Sequence, residues 1–542
     1  MTAGPFLRSP PFPGIAPSIA AVSLVRSDAD QLLPSDQLLE QMAQARVGGE
    51  FWGDQPAGIL LVARAGVPVP PQRLEGLAPE QIAVLPAAGG ARGPGRLLAG
   101  PVDPWSLVAQ ARSVHAAPDD ELAIVAGLIG VPVHGPDGAV VPAETLRDAA
   151  RQAIAAATYR DCFSGEPVDA TAAVNQLADW RRHMEGNRGI VAASGMAHWK
   201  REAMRRFLWD GRRSPPFLTG PQGLRRARRA GGTLAVWPSR VDAALGQEAA
   251  AQGIAIAKVE DGFLRSKGLG ATLTPPGSVV IDRSGIYYDA RTASDLEMLL
   301  ATHEFPPALL ARARRLRAAI RASGVTKYGL EAGRMPELPA DRRTVLAVGQ
   351  VEDDLSVQQG GAGVTGNLDL LRRVRGAEPN AYIIYRPHPD VQAGLRRGHL
   401  SEAAILEHAD LVDLGAPLMA LVQAVDEVHV LSSLTGFEAL MRDRPVTVHG
   451  MPFFAGWGLT RDMAAPNPRR GRQLTMDQLV AGALILYPRY LDPVTRLPCG
   501  PEIMVERLGS GSTSPISWLS RLRTLEGKIR RFMTLSAEYL HG

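Results

Sequence analysis

Two short acidic clusters could carry out acid–base or nucleophilic chemistry. Glu260 and Asp261 follow an apolar run that predicts a buried strand. Glu352, Asp353 and Asp354 follow a second such run. Carboxylates at a strand end can act as acid, base or hydroxyl-binding group, and the second cluster could also supply a nucleophile or hold a metal ion. The alternatives are a loop cap with an arginine ion pair at the first cluster and favourable helix-start charges at the second.

A basic pair follows the apolar run that ends at Tyr385. Arg386 could clamp a carboxylate or phosphate through two parallel hydrogen bonds. His388 could act as an acid, as a base or as a donor to an anion. Pro387 and Pro389 restrict this loop and lower the entropy cost of presenting both side chains. Because a single histidine is more often structural than functional, a structural loop is the alternative.

Small hydroxyl residues and a glycine follow another apolar run, where a helix is expected to begin. Free backbone N–H groups at a helix start, together with hydroxyls, make an anion site. Glu438 lies within the first turns and could reach a ribose hydroxyl. An ordinary serine or threonine cap is the alternative for one of the hydroxyls. The candidate anion site comprises Ser432, Ser433, Thr435 and Gly436.

Length and composition limit the class of protein. A chain of 542 residues predicts three or more packed units, and 45% hydrophobic with 21% charged residues excludes a wholly disordered chain. The net charge of +4 fits anionic ligands or a membrane surface and is too small to indicate nucleic acid. Two cysteines exclude a disulfide scaffold or a cysteine zinc cluster. Without a membrane-spanning run or a signal-peptide layout, a cytoplasmic protein is expected.

Alternating strand and helix patterns over the last two-thirds of the chain predict an α/β fold. Short apolar runs separated by helical segments are typical of parallel sheets with crossover helices. Two successive series predict two Rossmann-like domains facing a cleft, with ligands beyond the carboxyl ends of the strands. The predicted strands are 189–193, 217–218, 234–237 and 254–257 in the first series and 344–348, 382–385, 411–414, 427–431 and 445–448 in the second.

Short matches between the first third of the chain and the remainder indicate an internal repeat. They keep the same order along the chain, which chance matches would rarely do. Residues 1–168 are therefore interpreted as a degenerate partial copy of the later module, without its first Rossmann half or the loop equivalent to 452–474. The main matches are Phe6–Ser9 with Phe263–Ser266, Val114–His115 with Val428–His429, and Tyr159–Asp161 with Tyr490–Asp492.

The predicted domains are 1–168 for the partial copy, 187–335 and 340–500 for the two Rossmann-like halves, and 509–542 for a tail. The tail begins with a flexible Gly/Ser spacer and continues as a basic amphipathic helix, with apolar residues at helical spacing from Trp518 to Phe532. That helix could lie on anionic lipid. Packing on the enzyme body or contact with a partner is the alternative.

No glycine-rich dinucleotide fingerprint, Walker A loop or metal-ligand spacing of histidines and cysteines occurs in the sequence. The dehydrogenase, kinase and zinc-hydrolase classes are therefore disfavoured. Two facing α/β domains, an anion-binding helix start, and arginine beside carboxylates fit a GT-B-type sugar-nucleotide glycosyltransferase better.

An ordered set of motifs over residues 187–500 resembles the KpsC-like capsule polysaccharide β-Kdo transferases, where Kdo is 3-deoxy-D-manno-oct-2-ulosonic acid. The resemblance implies a GT-B fold, CMP-Kdo as donor, no metal or other cofactor, and retention of the β configuration by double displacement. It also implies an acceptor on a phosphatidylglycerol-type lipid with a β-Kdo linker. The motifs are Val259–Gly270, Gly285–Asp289, 349–357, Arg386–Val391, Ser432–Glu438 and Phe454–Thr460.

The resemblance also implies partners and a location. A second Kdo transferase and the capsule export machinery are candidate partners, and an anionic membrane surface is another. The expected location is the cytoplasm, and peripheral association with the inner membrane is compatible with it. No nucleic-acid partner is expected.

By position, the family's carboxylate nucleophile falls on Asp354. Glu260 and Asp261 fall in the acid/base neighbourhood, and His388 is a further candidate catalytic group. After CMP departs as a stable anion, Glu260 or Asp261 would deprotonate the acceptor hydroxyl.

The donor-binding residues follow from the same resemblance. Arg265, Arg386 and His388 are suitable cations for the sugar carboxylate and the phosphate. Gln350 joins them, and the phosphate would lie at the helix start 432–436, with Glu438 beyond it.

The first copy departs from this pattern. Pro118 and Asp119 stand where the later module has Ser432 and Ser433, and no acid occurs in 81–102, where a nucleophile is expected. We therefore expect a catalytically inactive remnant that is structural or binds acceptor. Two rival functions remain for the whole chain. One is an inverting transferase that uses a UDP-sugar with a metal at residues 352–354, and the other is a non-catalytic scaffold of a capsule export complex.

Overall fold

The computed structural model of the chain describes residues 4–25, 33–86, 95–264, 275–324 and 333–510. Arg265 and the predicted tail helix therefore lie outside the described residues. The chain forms two compact units. The first unit comprises Met1–Arg188, Leu208–Pro215 and Thr495–Pro498, and the second comprises Gly189–Phe207, Pro216–Val494 and Cys499–Gly542.

The first unit contains a three-stranded sheet and a five-stranded parallel sheet. Its strands are β1 (Ser23–Val25), β2 (Leu61–Arg64), β3 (Ile82–Leu85), β4 (Arg96–Leu97), β5 (Ser113–His115), β6 (Val133–His134), β7 (Ala157–Arg160) and β8 (Pro167–Val168). Its helices are α1 (Pro17–Ala20), α2 (Asp36–Ala45), α3 (Pro71–Leu74), α4 (Pro104–Val108), α5 (Glu121–Ile129), α6 (Ala143–Ala155) and α7 (Ala170–Glu185). The sheet orders are β1-β7-β8 and β4-β3-β2-β5-β6.

The second unit contains two six-stranded sheets. Its strands are β9 (Ile190–Ser194), β10 (Thr233–Val236), β11 (Ile256–Asp261), β12 (Ser278–Asp282), β13 (Thr344–Val348), β14 (Tyr382–Arg386), β15 (Leu411–Val412), β16 (Glu427–Val430), β17 (Val446–Val448), β18 (Arg461–Asp462), β19 (Pro488–Leu491) and the edge strand β20 (Pro498–Cys499).

Thirteen helices of the described residues belong to the second unit. They are α8 (Arg201–Phe207), α9 (Gly220–Ala230), α10 (Ala243–Ala251), α11 (Asp295–Thr302), α12 (Pro307–Ser323), α13 (Leu355–Gly360), α14 (Asn367–Ala377), α15 (Pro389–Gln392), α16 (Glu402–Leu406), α17 (Leu418–Ala424), α18 (Leu434–Met441), α19 (Met476–Val480) and α20 (Pro501–Ser510). A π-helical stretch, Ala481–Leu486, continues α19.

The first sheet of the second unit is mixed, whereas the sequence predicted a parallel one. Strands β9, β10 and β11 run parallel, but β12 is antiparallel to β11 and β19 is antiparallel to β12. The predicted strand 217–218 is wrong, since Phe217 forms only a single bridge to Ala193. The predicted strand 254–257 begins and ends too early. Pairing of Asp261 with Val279 extends β11 through both acids.

The second sheet has the strand order β15-β14-β13-β16-β17-β18, and its neighbouring strands are parallel. This is the Rossmann order 3-2-1-4-5-6, in which the chain changes direction of winding between the first and fourth strands. The crevice at that switch point lies beyond the carboxyl ends of β13 and β16. Both strands are buried along their whole length, which is why they read as continuous apolar runs.

Aromatic rings fill the core below the cleft. Phe263 stacks on Phe453 with ring centroids 4.4 Å apart, and Phe437 meets Phe453 edge-on at 5.3 Å. Phe454 and Trp457 are fully buried. The loop 451–458 therefore covers the core, while Phe453 also reaches the cleft. Among the described residues, the helices include none with the length and apolarity needed to cross a bilayer.

Two buried histidines should make the second unit less stable in acid. Burial lowers the pKa of His429 and of His449 to about 4, so both are neutral in the folded chain. Unfolded histidines titrate near 6.5 and bind protons first as the pH falls. We therefore expect the free energy of unfolding to be greatest above about pH 6.5 and to decrease towards pH 4.

Urea unfolding across this pH range measures the effect. His449→Asn should flatten the dependence of the unfolding free energy on pH, because one titrating group is removed. His399→Asn, at an exposed position, should leave the slope as it is. Equal slopes in the parent chain and the His449 variant would contradict the expectation.

Candidate active site

A cavity of about 450 Å³ lies in the second unit, where the carboxyl ends of strands from both sheets meet. Its walls contain nearly all of the described candidate residues from the sequence. These are Glu260, Asp261, Gln350, Asp354, Arg386, His388, Ser432, Ser433, Thr435 and Glu438. Gly436 is the exception. A side chain at this position would collide with Phe454 at 2.8 Å, so the glycine allows close packing of α18 on the core.

Glu260 and Asp261 are the last two residues of β11, and each has a distinct environment. Lys200 Nζ lies 3.1 Å from Asp261 Oδ1, and its side chain is buried. The same ammonium group lies 3.4 Å from the ring centroid of Trp237, within range for a cation–π interaction. Sequence reasoning missed Lys200, because it is 61 residues from its partner and no local motif marks it.

Glu260 is the carboxyl group whose protonation is most altered. Burial, and then the charges of Asp261 and Asp354, together raise its pKa to about 7 from the ordinary 4.5, against the opposing charge of Lys200. A carboxyl group with a pKa near neutrality can both accept and return a proton, which is the property of a general acid–base catalyst. The geometry and the pKa therefore distinguish Glu260 from Asp261, which the sequence treated alike.

The three acids at 352–354 face different partners. Glu352 Oε1 accepts a hydrogen bond from Asn367 N at 2.9 Å, and Asp353 pairs with Arg396 at 3.2 Å. Asp354 is the N-cap of α13, with Oδ1 accepting from Ser356 N at 2.9 Å, and its side chain faces the cavity. Both sequence alternatives therefore hold for this residue, which caps a helix and lies in the candidate site.

A pair of hydrogen bonds spans the switch point of the second sheet. Gln350 Oε1 accepts from Ser432 N at 2.8 Å, and Gln350 Nε2 donates to Ser432 Oγ at 3.1 Å. Ser432 Oγ in turn donates to Ser356 O at 3.0 Å. The side chains of Gln350 and Ser432 thus hold the loops after β13 and β16 together. In the cavity wall they position these two loops.

The start of α18 combines a cap with the cleft wall. Ser433 is the N-cap, and its Oγ accepts from Thr435 N at 3.3 Å. Serine as cap is the alternative that the sequence allowed for one hydroxyl. Thr435 and Glu438 follow on the cavity-facing side of the helix. The first N–H groups of an eight-residue helix and this hydroxyl pair can receive an anion.

An ion pair and a helix cap hold the basic loop after β14 in place. Arg386 forms an ion pair with the buried Asp413, so its guanidinium is oriented before any ligand arrives. His388 is the N-cap of α15, with Nδ1 accepting from Asp390 N at 3.1 Å. That bond helps to set the orientation of the imidazole ring in the cavity wall. Arg240, on the opposite wall, is exposed.

Two tyrosines separate the cavity from the core. The Tyr287 hydroxyl donates to Asp261 O at 3.4 Å. The Tyr288 hydroxyl is buried and has no hydrogen-bond partner within the described parts of the chain. Burial, and then the charges of Glu260 and Asp354, raise the pKa of Tyr288, so the group stays a neutral donor. In the sequence these tyrosines belong to the motif Gly285–Asp289, and no feature of that motif indicates a role for either of them.

The described residues contain one group of three side chains that could hold a metal ion, namely Glu378, Glu427 and His429. Glu427 begins β16, at the end of the strand opposite the cavity, and forms an ion pair with Arg343. Arg461 pairs with Glu378 at 3.0 Å. Arginines already compensate these carboxylates, so the group is a structural ion-pair network. The acids 352–354 do not converge on a shared point.

A Rossmann-order sheet that faces a second α/β half across a cleft of acids and cations defines a GT-B-like glycosyltransferase fold. Comparison with known proteins agrees. The chain belongs to the capsule polysaccharide biosynthesis protein family, whose model matches residues 233–490. The resemblance stated from the motifs is thereby confirmed.

Two solved relatives are similar in structure. One is Thermosulfurimonas dismutans KpsC, β-Kdo 2,7 transferase, which is 33% identical with a TM-score of 0.50; the match covers 60% of this chain and 100% of the relative. The other is Thermosulfurimonas dismutans KpsC, β-Kdo 2,4 transferase, which is 30% identical, also with a TM-score of 0.50; the match covers 59% of this chain and 98% of the relative.

Curated relatives agree in class. LpsZ, a lipopolysaccharide-processing protein of Rhizobium meliloti, is 39% identical over 56% of this chain and 70% of its own length. The capsule polysaccharide modification protein LipA of Neisseria meningitidis serogroup A is 38% identical over 65% of this chain. The chain spans about half the length of LipA.

The raised pKa of Glu260 can be tested by titration of its carboxyl group. Infrared difference spectra between the parent chain and Glu260→Gln should reveal one carboxyl group that titrates at pH about 7. Lys200→Met should move that titration to higher pH, because it removes the cation that favours the charged carboxylate. Lys258→Met makes the same substitution within β11 and serves as the control, and it should leave the titration of the Glu260 carboxyl group at the same pH. A carboxyl group titrating near 4.5 in the parent chain would contradict this environment.

Proposed function

We propose that the second unit transfers a β-Kdo residue from CMP-Kdo to a hydroxyl of a lipid-linked acceptor, with retention of configuration. The observation that carries the proposal is the convergence of Asp354, Glu260 and a set of cations on one cavity at the switch point of a GT-B-like fold. Similarity over the whole length of two β-Kdo transferase domains supports the sugar. Neither linkage is preferred by this argument, since the two domains form different ones.

The first step is attack by the Asp354 carboxylate on the anomeric carbon of Kdo. A bond forms between a carboxylate oxygen and that carbon, the bond from carbon to the phosphate oxygen breaks, and CMP leaves with the electron pair. Because CMP is a stable anion, no strong acid is needed at the leaving oxygen. One Asp354 oxygen accepts a hydrogen bond from Ser356 N, which restricts the side chain in the cavity wall.

The second step is attack by the acceptor. The acceptor oxygen binds the anomeric carbon, the ester bond to Asp354 breaks, and the carboxylate is regenerated. Glu260 takes the hydroxyl proton, since its pKa of about 7 suits a base at neutral pH. Asp261 is the weaker candidate because Lys200 already neutralises it. Two inversions at one carbon give retention, as in retaining glycosidases.

Charge compensation supports an anionic donor. Kdo carries a carboxylate beside its anomeric carbon, and CMP carries a phosphate, so the site must accept two anions. Arg386, His388 and Arg240 supply cationic or donor groups on the cavity walls, and the start of α18 supplies backbone N–H groups. The neutral hydroxyl of Tyr288 is a further donor for a sugar oxygen.

The rival functions are less well supported. A UDP-sugar transferase with a metal at 352–354 would need these carboxylates to converge, whereas each has a different partner. A scaffold would have no use for a half-buried carboxyl group, Glu260, whose pKa is raised to about 7 beside the carboxylate of Asp354. Stimulation of transfer by Mg²⁺ or Mn²⁺ would favour the first rival.

Intact-protein mass spectrometry tests the donor and the nucleophile together. Incubation with CMP-Kdo, generated in place because it is labile, should add the mass of one Kdo residue when no acceptor is present. Asp354→Asn should abolish that adduct, since an amide cannot act as the nucleophile. Asp369→Asn makes the same change outside the cavity and should retain it.

Two outcomes would revise the proposal. Release of CMP upon addition of acceptor, without any adduct, would keep the donor and reject the covalent mechanism. Neither adduct nor turnover with lipid-linked Kdo acceptors would reject CMP-Kdo as the donor.

We propose further that the first unit is a partial copy of this module without a donor site. Its sheet order β4-β3-β2-β5-β6 repeats the order β15-β14-β13-β16-β17 of the second unit. The paired strands β1 and β7 likewise correspond to β12 and β19, with Ser23 opposite Tyr159 and Ser278 opposite Tyr490.

The equivalent of the anion site in the first unit is filled by its own acids. Asp120 is the N-cap of α5, as Ser433 is the N-cap of α18, so the equivalent of Ser433 is one residue later than the Asp119 that the sequence predicted. Arg64, the last residue of β2, forms an ion pair with Asp120 at 2.7 Å, and Arg8 pairs with Glu121. Carboxylates at this helix start would repel a phosphate, so the first unit is expected to bind no nucleotide.

Linkage analysis with Asp354→Asn tests the single-site proposal, because every product linkage should disappear together. By contrast, Asp120→Ala should lower the free energy of unfolding by about 1–3 kcal/mol through loss of a cap and an ion pair, while transfer continues at the parent rate. Urea unfolding and product assays measure both effects. A residual linkage in Asp354→Asn would contradict the proposal.

A further inference from the structure

Helix α9 carries an arginine-rich surface that the proposed reaction does not use. Between Gly211 and Val241 the sequence has arginines at several positions and no aspartate or glutamate at all. These arginines are Arg212, Arg213, Arg225, Arg226, Arg228, Arg229 and Arg240. Four of them belong to α9, which makes this helix the most basic part of the segment.

The helix presents these charges on one side. Leu224 and Ala227 are buried and join the apolar cluster behind β9 and β10. Arg225, Arg228 and Arg229 are exposed and recur at positions i, i+3 and i+4, which places them on the side opposite the buried residues. We call these three residues the arginine face.

The arginine face lacks the ion pairs that other basic helices of this unit have. No carboxylate of the described ranges lies within ion-pair distance of its three guanidinium groups. In α12, by contrast, most arginines are paired with acids: Arg312 with Glu502, Arg314 with Asp477, and Arg317 and Arg321 with Asp443. A favourable interaction with the helix dipole accounts for basic residues in the last turn, Arg228 and Arg229, but not for Arg225.

We propose that the arginine face docks on an anionic lipid bilayer. Three neighbouring cations without acids fit a surface of phosphate headgroups, whose attraction is electrostatic and falls with ionic strength. Because the apolar side of α9 is already buried, the contact is made by charge and involves no insertion. The helix has no aromatic side chain, whereas surfaces for single-stranded nucleic acid use aromatic groups for base stacking.

Co-sedimentation with vesicles tests the proposal on the full chain. The parent chain should bind vesicles of phosphatidylglycerol and phosphatidylcholine at low salt, and it should not bind pure phosphatidylcholine. The triple variant R225Q/R228Q/R229Q should bind the anionic vesicles about 100-fold more weakly, because each arginine removed weakens binding about fivefold. The control triple variant R315Q/R334Q/R372Q removes equal charge from other exposed positions and should bind like the parent chain.

Three results would overturn the proposal. The first is failure of the parent chain to bind anionic vesicles, and the second is equal binding of these vesicles by the two triple variants. The third is a requirement for the arginine face in binding a single-stranded oligonucleotide but not in binding vesicles. Thermal unfolding of each variant confirms that the exposed substitutions leave the fold intact. The measurement requires no turnover, so failure of the proposed Kdo transfer would leave its outcome unaffected.

Discussion

Burial of one carboxyl group beside two other acids on the same cavity is the constraint on which the cleft depends. Asp261 is neutralised by Lys200, which also lies over Trp237. Asp354 is stabilised by the backbone N–H of Ser356 at a helix start. Burial, and then the charges of Asp261 and Asp354, raise the pKa of Glu260 to about 7, although Lys200 and the backbone N–H of Asp261 favour its charged form. The three neighbouring acids thus have different partners, and Glu260 is the one whose pKa is raised to near neutrality, which suits a group that accepts and returns a proton.

The position of these acids follows from strand topology. In the second sheet the chain switches winding direction between β13 and β16, and the crevice at that point opens towards the first sheet. Gln350 and Ser432 join the two loops there through paired hydrogen bonds, which fixes the distance between Asp354 on one loop and the start of α18 on the other. The same amide therefore links the candidate nucleophile to the candidate phosphate site.

Local patterns in the sequence predicted the elements, while long-range partners escaped prediction. The runs at 344–348 and 427–431 were recognised because both strands are buried on both faces. The antiparallel strands of the first sheet were missed, since apolar runs carry no sign of their direction. Lys200 and Asp413 were missed for a related reason: each acts through a partner that is close only in the folded chain. Which of two adjacent acids is the better base depends on such partners.

The two units share a strand order but differ in the side chains at the corresponding helix start. Both place a helix after the fourth strand of a sheet with the same strand order, and both begin that helix with a side-chain cap. In the second unit the cap is Ser433, which leaves the N–H groups of the helix start facing a cavity lined by cations. In the first unit it is Asp120, already paired with Arg64. The acidic cap thus places a carboxylate, paired with an arginine, where the second unit has a neutral hydroxyl, so the same strand order is compatible with different charge at the corresponding helix start.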